Sequence, residues 1–499
     1  MPGSEDTRRP LPFSRGELVG VWMLFLGLTV SLVWLVHPWY DPAPDAAMYL
    51  ATARSLIRGE GYSMLGQPFV IRPPGFALLI APVLRLRGLD FFALNLLVSS
   101  FGLVACGCLY AFARRRIGAL AAGLLVLVLW FNPGIRELSC QAMSDVPGLA
   151  LILACLLLER WADRKPAWWR DVLLGLAIGL SSYVRTVLVL LVLAIAVARL
   201  LRRAPSKEEL EPLGRRLART ALLALAVFAA QLPWQLRNSR IDQGASDQTF
   251  LVSYSTGMWH EDGGDPNSRR LGLDEVLARI PEQGGLALSV IGSRMGRHEP
   301  GEIPIAVFLV VSLVLVAVKR RESLEIFALG NLVLLSLYFG FMPRLVLPVF
   351  VAALLAGVEV LGMIAGRVRA ARRLLPLGGL LLLLGLDADP RPGWDEIQRR
   401  DELLRTITEE FETLVPPEAV LASNRAWHYA LLMDRPVYGL EVDIQRGGDV
   451  SAAEETIDKY GIQFVVLSPN RPKDAEVLPY FAAKYEERRA PHARAFRVR

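Results

Sequence analysis

The sequence predicts an α-helical polytopic membrane protein of about eleven spans, with a small α/β domain at its C-terminal end. Three observations carry this. Hydrophobic residues make up 53% of the 499 and are gathered into long runs almost free of charge. Lys and Arg stand in short clusters between those runs. Residues 388–499 then change to a charged pattern in which helix-like and strand-like stretches alternate.

The runs 18–36, 305–318 and 345–365 each reach or approach the ~20 residues needed to cross a ~30 Å hydrocarbon layer. The run 18–36 is too long for the apolar core of a signal peptide. It is followed by His37-Pro38-Trp39-Tyr40 and not by a small-residue cleavage pattern, so it is expected to be a retained first span. The expected spans are 18–36, 91–112, 117–131, 140–159, 171–184, 186–201, 218–235, 303–318, 323–341, 345–366 and 373–387. Residues 1–387 form the expected membrane domain.

Charge placement tests that set. With Arg8, Arg9 and Arg15 in the cytoplasm, alternation brings Arg114-Arg115-Arg116 to the same side, then Arg160, Arg164, Lys165 and Arg170. Arg202, Arg203, Lys207, Arg215 and Arg216 follow, then Lys319-Arg320-Arg321, then Arg367, Arg369, Arg372 and Arg373. Every cluster lands inside, as the positive-inside bias requires. The expected location is the inner (plasma) membrane, with a cytoplasmic N-terminus and an extracytoplasmic C-terminal domain. Residues 171–201 as one helix would run about 46 Å, too long for the bilayer. They would also put Arg170 and Arg202-Arg203 on opposite sides. A hairpin turning near Arg185 satisfies both constraints.

The net charge of +6 and a pI near 9.2 would raise nucleic acid as a partner in a soluble chain. Here the basic residues encode orientation, so no nucleic-acid role is expected. Cys106, Cys108, Cys140 and Cys155 form neither a disulfide framework nor a metal spacing, and read as small apolar residues of the spans. No internal repeat is visible.

Three long segments remain outside: 37–90, 237–302 and 388–499. In the last, 394–414 reads as an amphipathic helix, 419–422 and 463–467 as strands, 425–433 and 452–460 as helices, and 495–498 as a further strand. In the first, Ala46, Tyr49, Leu50, Ala53, Leu56 and Ile57 recur at helical spacing, with Arg54, Ser55 and Arg58 largely off the stripe. Gly59 is a natural stop. The expectation is a short helix on the membrane surface that starts at Asp45. Asp45 is either an N-cap or a carboxylate held at the bilayer edge as a general base; a capped start serves both.

Several stretches, taken in order, resemble the GT-C glycosyltransferases, in the bacterial branch similar to protein O-mannosyltransferases and aminoarabinose lipid A transferases. The first is Asp45-Ala46-Ala47-Met48-Tyr49-Leu50, then Gly59-Glu60-Gly61-Tyr62 and Arg72-Pro73-Pro74-Gly75-Phe76. Ser144-Asp145-Val146-Pro147, Ser182-Tyr183-Val184-Arg185-Thr186 and Pro233-Trp234-Gln235-Leu236-Arg237-Asn238 follow, then 341–348 around Pro343-Arg344. The branch often carries an Asp-Glu pair where this chain has Asp45-Ala46, so the second acidic residue is missing.

The resemblance implies an inverting transfer of a sugar from a polyprenyl-phosphate-type lipid to a glycan, lipid or protein acceptor, with membrane lipids as surroundings. It makes Asp45, with Asp41 as second choice, the catalytic base. Alternation places Arg185, Arg237 and Arg344 at outer span ends, where arginine forks suit the donor phosphate; taken singly, each is also an ordinary interfacial anchor. Asp145, Glu137, Tyr62 and Trp259 are expected to line the substrate cavity, against plainer roles in helix capping, pairing with Arg136, or loop surface. Residues 255–264 resemble an aromatic loop of the branch, in which Trp259 could stack on a sugar. Adjacent His260, Glu261 and Asp262 give no fixed metal geometry, so no metal ligands are assigned, while room is left for a divalent cation. His298 and His428 carry no partner pattern.

Two other functions fit a polytopic chain. A transporter or flippase of a lipid-linked precursor would favour an inverted repeat and mid-membrane charges, and neither is apparent. A non-catalytic scaffold presenting the C-terminal domain would be rejected by full activity in a chain truncated at Gly385.

Overall fold

The computed structural model describes residues 13–64, 66–201, 211–241, 254–261, 268–293, 295, 303–338, 342–365, 393–440 and 450–498. The expected span 373–387, His298 and Asp262 lie outside these residues. The chain is mostly helical. α1 (Arg15–Leu35) opens with Ser14, whose hydroxyl accepts from the Glu17 N–H. α2 (Pro44–Arg58) ends at Gly59 with φ 77°, the expected stop. A two-stranded ribbon, β1 (Ser63–Met64) and β2 (Gln67–Pro68), leads into α3 (Gly75–Arg87). α4 (Phe91–Ile117) is capped by Asp90, and Gly118 separates it from α5 (Ala119–Phe131). Asn132 then caps α6 (Pro133–Ser139), which bends 64° from α5.

α7 (Asp145–Arg164) and α8 (Trp168–Ser181) follow. A turn through 182–185 and a 3-10 segment (Thr186–Val189) lead into α9 (Leu190–Leu201), so the expected hairpin at Arg185 is present. α10 (Leu213–Ser239) packs along α8. The segment between α10 and the next long helix contains α11 (Tyr254–Trp259), α12 (Leu273–Leu277) and α13 (Ile280–Gly292); α13 lies against α14 (Ile303–Arg320) and α15 (Ser323–Leu337). A 3-10 segment (Pro343–Val346) opens α16 (Leu347–Ala365), the most enclosed of the long apolar helices.

The chain is a multi-pass membrane protein. Among the described residues, five helices are long and apolar enough to cross a bilayer, and six if the bent α5–α6 pair is one span. This is fewer than the eleven expected. α8 and α15 are 14 and 15 residues long, and α9 is 12. α7 carries five charges, including Asp145, Glu159 and Asp163 buried among neighbours. Such helices are apolar but fall short of the length, or of the freedom from charge, that a full span needs.

The C-terminal unit is an α/β domain: α17 (Trp394–Leu414), β3 (Leu421–Ser423), α18 (Ala426–Leu432), β4 (Val437–Gly439), α19 (Val450–Tyr460), β5 (Phe464–Leu467), α20 (Pro472–Lys484), β6 (Glu486–Arg489) and β7 (Arg494–Arg497). Strand order is β4-β3-β5-β7-β6, parallel over the first three and antiparallel over the last three. Phe464, Val465, Val466 and Leu467 are all buried, as befits a strand covered on both faces.

The expected surface helix is instead enclosed. Ala46, Ala47, Leu50 and Ala53 of α2 have no exposed surface, because α3 covers one side and α18 the other. Arg54 donates to the Leu431 carbonyl at 2.9 Å and pairs with Asp434 at 2.7 Å; Arg58 pairs with the same carboxylate at 2.5 Å. Of the off-stripe residues, Arg54 and Arg58 thus bind the C-terminal domain, while Ser55 bonds to Gly61 and Ser63 of the loop. Tyr40 and His428 share a buried hydrogen bond of 2.8 Å.

Candidate active site

α2 starts one residue earlier than expected. Pro44 takes the first position, its fixed φ and missing N–H suiting a helix start. Ala43 is the N-cap, and no side chain caps the helix. Asp45 is therefore not an N-cap. Its carboxylate instead pairs with Arg344, which the Pro343–Val346 segment brings to the mouth of α16. Both side chains keep partial access to solvent, 24% for Asp45 and 17% for Arg344. The sulfurs of Met143 and Met342 flank the guanidinium.

A second pair lies beside the first. Asp145, in the opening turn of α7, faces Arg185 Nη1 across 2.8 Å and is 1% exposed. Among the described residues neither carboxylate oxygen accepts a hydrogen bond of good geometry, so the contact with Arg185 is one of charge. The Ser144 hydroxyl stands 3.4 Å from Arg185 Nη1 and 3.3 Å from the Tyr49 hydroxyl. Tyr49 is four residues after Asp45, on the same face of α2. The sequence-predicted residues Asp45, Arg344, Asp145 and Arg185 are thus brought together. Tyr49 and Met143 join them without having been singled out; the i, i+4 spacing from Asp45 was the available signal for Tyr49.

Two close approaches fix the site. Gly75 donates to the Tyr183 carbonyl at 3.0 Å, and a Cβ there would meet Tyr183 backbone atoms at 2.4 and 2.6 Å. The Pro-Pro-Gly stretch therefore lies directly on the turn that presents Arg185. A Cβ at Gly148 would stand 2.5 Å from Arg185 Cδ, so Arg185 reaches Asp145 across a bare stretch of α7. Below Arg185 is a cavity of about 180 Å³, lined by Thr186, Val187, Met258, Leu335, Tyr338 and Leu345 with Asn331. Asn331 is 2% exposed and its Nδ2 has no partner among the described residues.

The other expected residues lie apart. Asp41 accepts from Gln141 Nε2 at 2.5 Å, and burial raises its carboxyl above the usual value, opposed by the Gln141 bond and by Arg400. Glu137 is exposed on α6, next to a small cavity that includes Trp394 of the C-terminal domain. Arg136 donates to the Leu35 carbonyl at 2.6 Å. Tyr62 points its hydroxyl at the Arg72 carbonyl, 3.0 Å away. Arg237 donates to the Tyr62 and Phe69 carbonyls at 2.8 and 2.9 Å, with its guanidinium over Trp234. Its fork is engaged in holding the loop at Tyr62 and Phe69. Trp259 ends α11, and its neighbour Met258 reaches the cavity. His260, Glu261 and the other described acidic, His and Cys side chains form no group of three suited to a metal. The two carboxylates of the cleft, Asp45 and Asp145, each face a guanidinium.

The arrangement is thus a loop helix carrying one acid, arginines at helix ends, and a C-terminal α/β domain packed against the loop helix. The chain has the fold of the GT-C superfamily of membrane glycosyltransferases. The family model of dolichyl-phosphate-mannose-protein mannosyltransferase matches residues 71–234, from the Pro-Pro-Gly stretch into α10. Among solved structures, ArnT from Cupriavidus metallidurans in the apo state is similar at 17% identity and TM-score 0.60, over 96% of this chain and 98% of that one. The same protein bound to undecaprenyl phosphate gives 0.59 with the same identity and coverage. The archaeal oligosaccharyltransferase AglB from Archaeoglobus fulgidus, in complex with an inhibitory peptide and a dolichol-phosphate, gives 0.55 at 11% identity, over 94% of this chain and 71% of that one. Comparison with curated protein sequences gives no match.

Proposed function

We propose that this chain is an inverting glycosyltransferase that moves a sugar from a polyprenyl-phosphate-type lipid to an acceptor on the extracytoplasmic face. The observation that carries the reading is the convergence of Asp45–Arg344 and Asp145–Arg185 in one cleft above the apolar cavity. The cavity suits the first isoprenoid units of the carrier, and the arginines above it suit the phosphate.

Resting Arg344 shields Asp45. A donor phosphate competes for the guanidinium fork and leaves the carboxylate free to accept a proton. Asp45 then takes the acceptor hydroxyl proton while that oxygen attacks the anomeric carbon. The bond from that carbon to the phosphate oxygen breaks, and its electron pair stays on the phosphate, where Arg344 and Arg185 stabilise it. The products are the glycoside and the polyprenyl phosphate. Asp145, with oxygens not committed to hydrogen bonds, orients the acceptor. Arg237 and Tyr62 act at one remove by holding the loop 62–75. The basic clusters at the opposite helix ends support the expected orientation, with the cleft and the domain 388–499 outside.

Asp45→Asn keeps the shape of the side chain and removes its basicity. Sugar transfer is expected to fall ~10²–10⁴-fold, the range for a lost general base, with expression and thermal midpoint retained. Turnover like the parent chain would sink the assignment of the base. Movement of lipid-linked sugar across vesicles without any glycosyl product would point to a flippase instead.

A further inference from the structure

The helix ends remote from Asp45 enclose a second cavity of about 270 Å³, between the last turns of α4, α7 and α14 and the first turn of α15. It and the cavity under Arg185 lie at opposite ends of α15, ~20 Å apart along that helix. Seven cationic side chains line it against three acidic ones. Two of the cations are built in. Arg116 pairs with Glu325 and Glu322, and Arg160 pairs with Glu322 at 2.7 Å while stacking on the Phe112 ring at 3.4 Å. Three more have no acidic partner among the described residues. Arg164 makes no ion pair, Lys319 contacts only the Met363 sulfur, and Arg321 donates only to the Leu201 and Val318 carbonyls.

A plainer account covers part of this. Cations are favoured at helix C-termini, and three helices end here. That account explains basic residues pointing outward into solvent. It does not explain why they surround a recess, or why Arg116 and Arg160 are locked in place at its wall by Phe112 and Glu322. A recess with preset guanidiniums and a surplus of positive charge is complementary to a compact anion with several acceptor oxygens. Its volume approaches the ~300 Å³ lower end of small-ligand sites. It lies at the level of helix ends, where basic pockets between membrane helices take lipid phosphates.

We propose that this cavity is a binding site for a phosphate group, separate from the transferase cleft, carried by an anionic lipid headgroup or by a soluble ligand. None of the residues named belongs to the cleft, and the inference stands without the transferase reading.

The test is native mass spectrometry of the full chain with cardiolipin, phosphatidylglycerol or phosphatidylcholine, and thermal unfolding with inorganic phosphate against chloride at equal ionic strength. Retained adducts of the two anionic lipids but not of phosphatidylcholine identify a lipid source. A phosphate-specific rise in midpoint without lipid preference identifies a soluble one. In either case Arg164→Gln/Lys319→Gln is expected to lower adduct retention or the midpoint rise at least fivefold. Arg164→Lys/Lys319→Arg, which keeps the charge, is expected to preserve them. Equal adducts for all three lipids with no phosphate effect, or an unchanged response in the Gln pair, overturns the proposal.

Discussion

Replacing Gly75 with alanine tests how the cleft is built. A Cβ at Gly75 would stand 2.4 Å from the Tyr183 carbonyl carbon and 2.6 Å from both the Tyr183 oxygen and the Val184 nitrogen. All three are backbone atoms, so no rotamer change relieves the contact. Opening it to the ~3.5 Å of ordinary carbon contact needs about 1 Å of backbone movement. Either the Pro-Pro-Gly stretch lifts, breaking the 3.0 Å bond from Gly75 to Tyr183, or the turn carrying Arg185 shifts. Overpacking of this kind costs ~1–3 kcal/mol of stability. A ~1 Å displacement of a group that positions substrate costs on the order of 100-fold in rate. Gly75→Ala is therefore expected to lose rate far more than it loses folded protein. The assay is polyprenyl phosphate released from a panel of lipid-linked sugars, read beside the thermal midpoint in the same detergent. Gly285→Ala is the control, since a Cβ there meets nothing within 4 Å. Turnover and midpoint of Gly75→Ala equal to the parent chain would refute both the contact and its role in presenting Arg185.

The remaining predictions concern the paired charges and the domain junction. Arg185→Ala strands Asp145, 1% exposed, and is expected to cost ~3–5 kcal/mol, whereas Arg185→Met/Asp145→Leu recovers most of that stability without restoring transfer. Restored transfer in the double variant would make the pair merely structural. His428 at the junction is pushed down to about 3 by burial, with Arg425 adding, and burial takes His37 to about 4 against its Trp39 hydrogen bond. The unfolded chain takes up protons near pH 6.5 and the folded chain does not. Stability is thus whole above pH 6.5 and falls below it, by ~1.4 kcal/mol per group for each pH unit. The thermal midpoint should drop between pH 7 and 5.5, and less so in His428→Asn; an identical pH profile in that variant would contradict the assignment.

Much of the architecture was legible because it depends on local physics. The break at Arg185 follows from a helix too long for the bilayer and from charges on its two ends. The alternation in 394–467 announced the α/β domain. What was not legible depends on partners far away in sequence. Asp45 meets Arg344 299 residues on, and nothing local distinguishes that from a capped helix start. The enclosure of α2 needed α18, which no pattern in 44–58 implies; Arg54 and Arg58 looked like a solvated face and instead bind Asp434. α3 was absorbed into the outer loop because 13 residues containing Pro82 fall short of a span. Arg237 shares its span-end position with Arg185 and Arg344 but is engaged by loop carbonyls, and side-chain direction is not written in hydropathy.

The clamp on α2 also sets an order of events during biosynthesis. The helix that carries Asp45 leaves the ribosome early, while α18, which covers it, lies about 370 residues later. At ~5–20 residues per second, that leaves on the order of half a minute in which the acid-bearing helix is made and its cover is not. Through that interval Tyr40, Arg54 and Arg58 lack their partners His428 and Asp434. The cover over the helix that carries Asp45 is therefore among the last parts of the molecule to be completed, and a chain cut short before α18 lacks it.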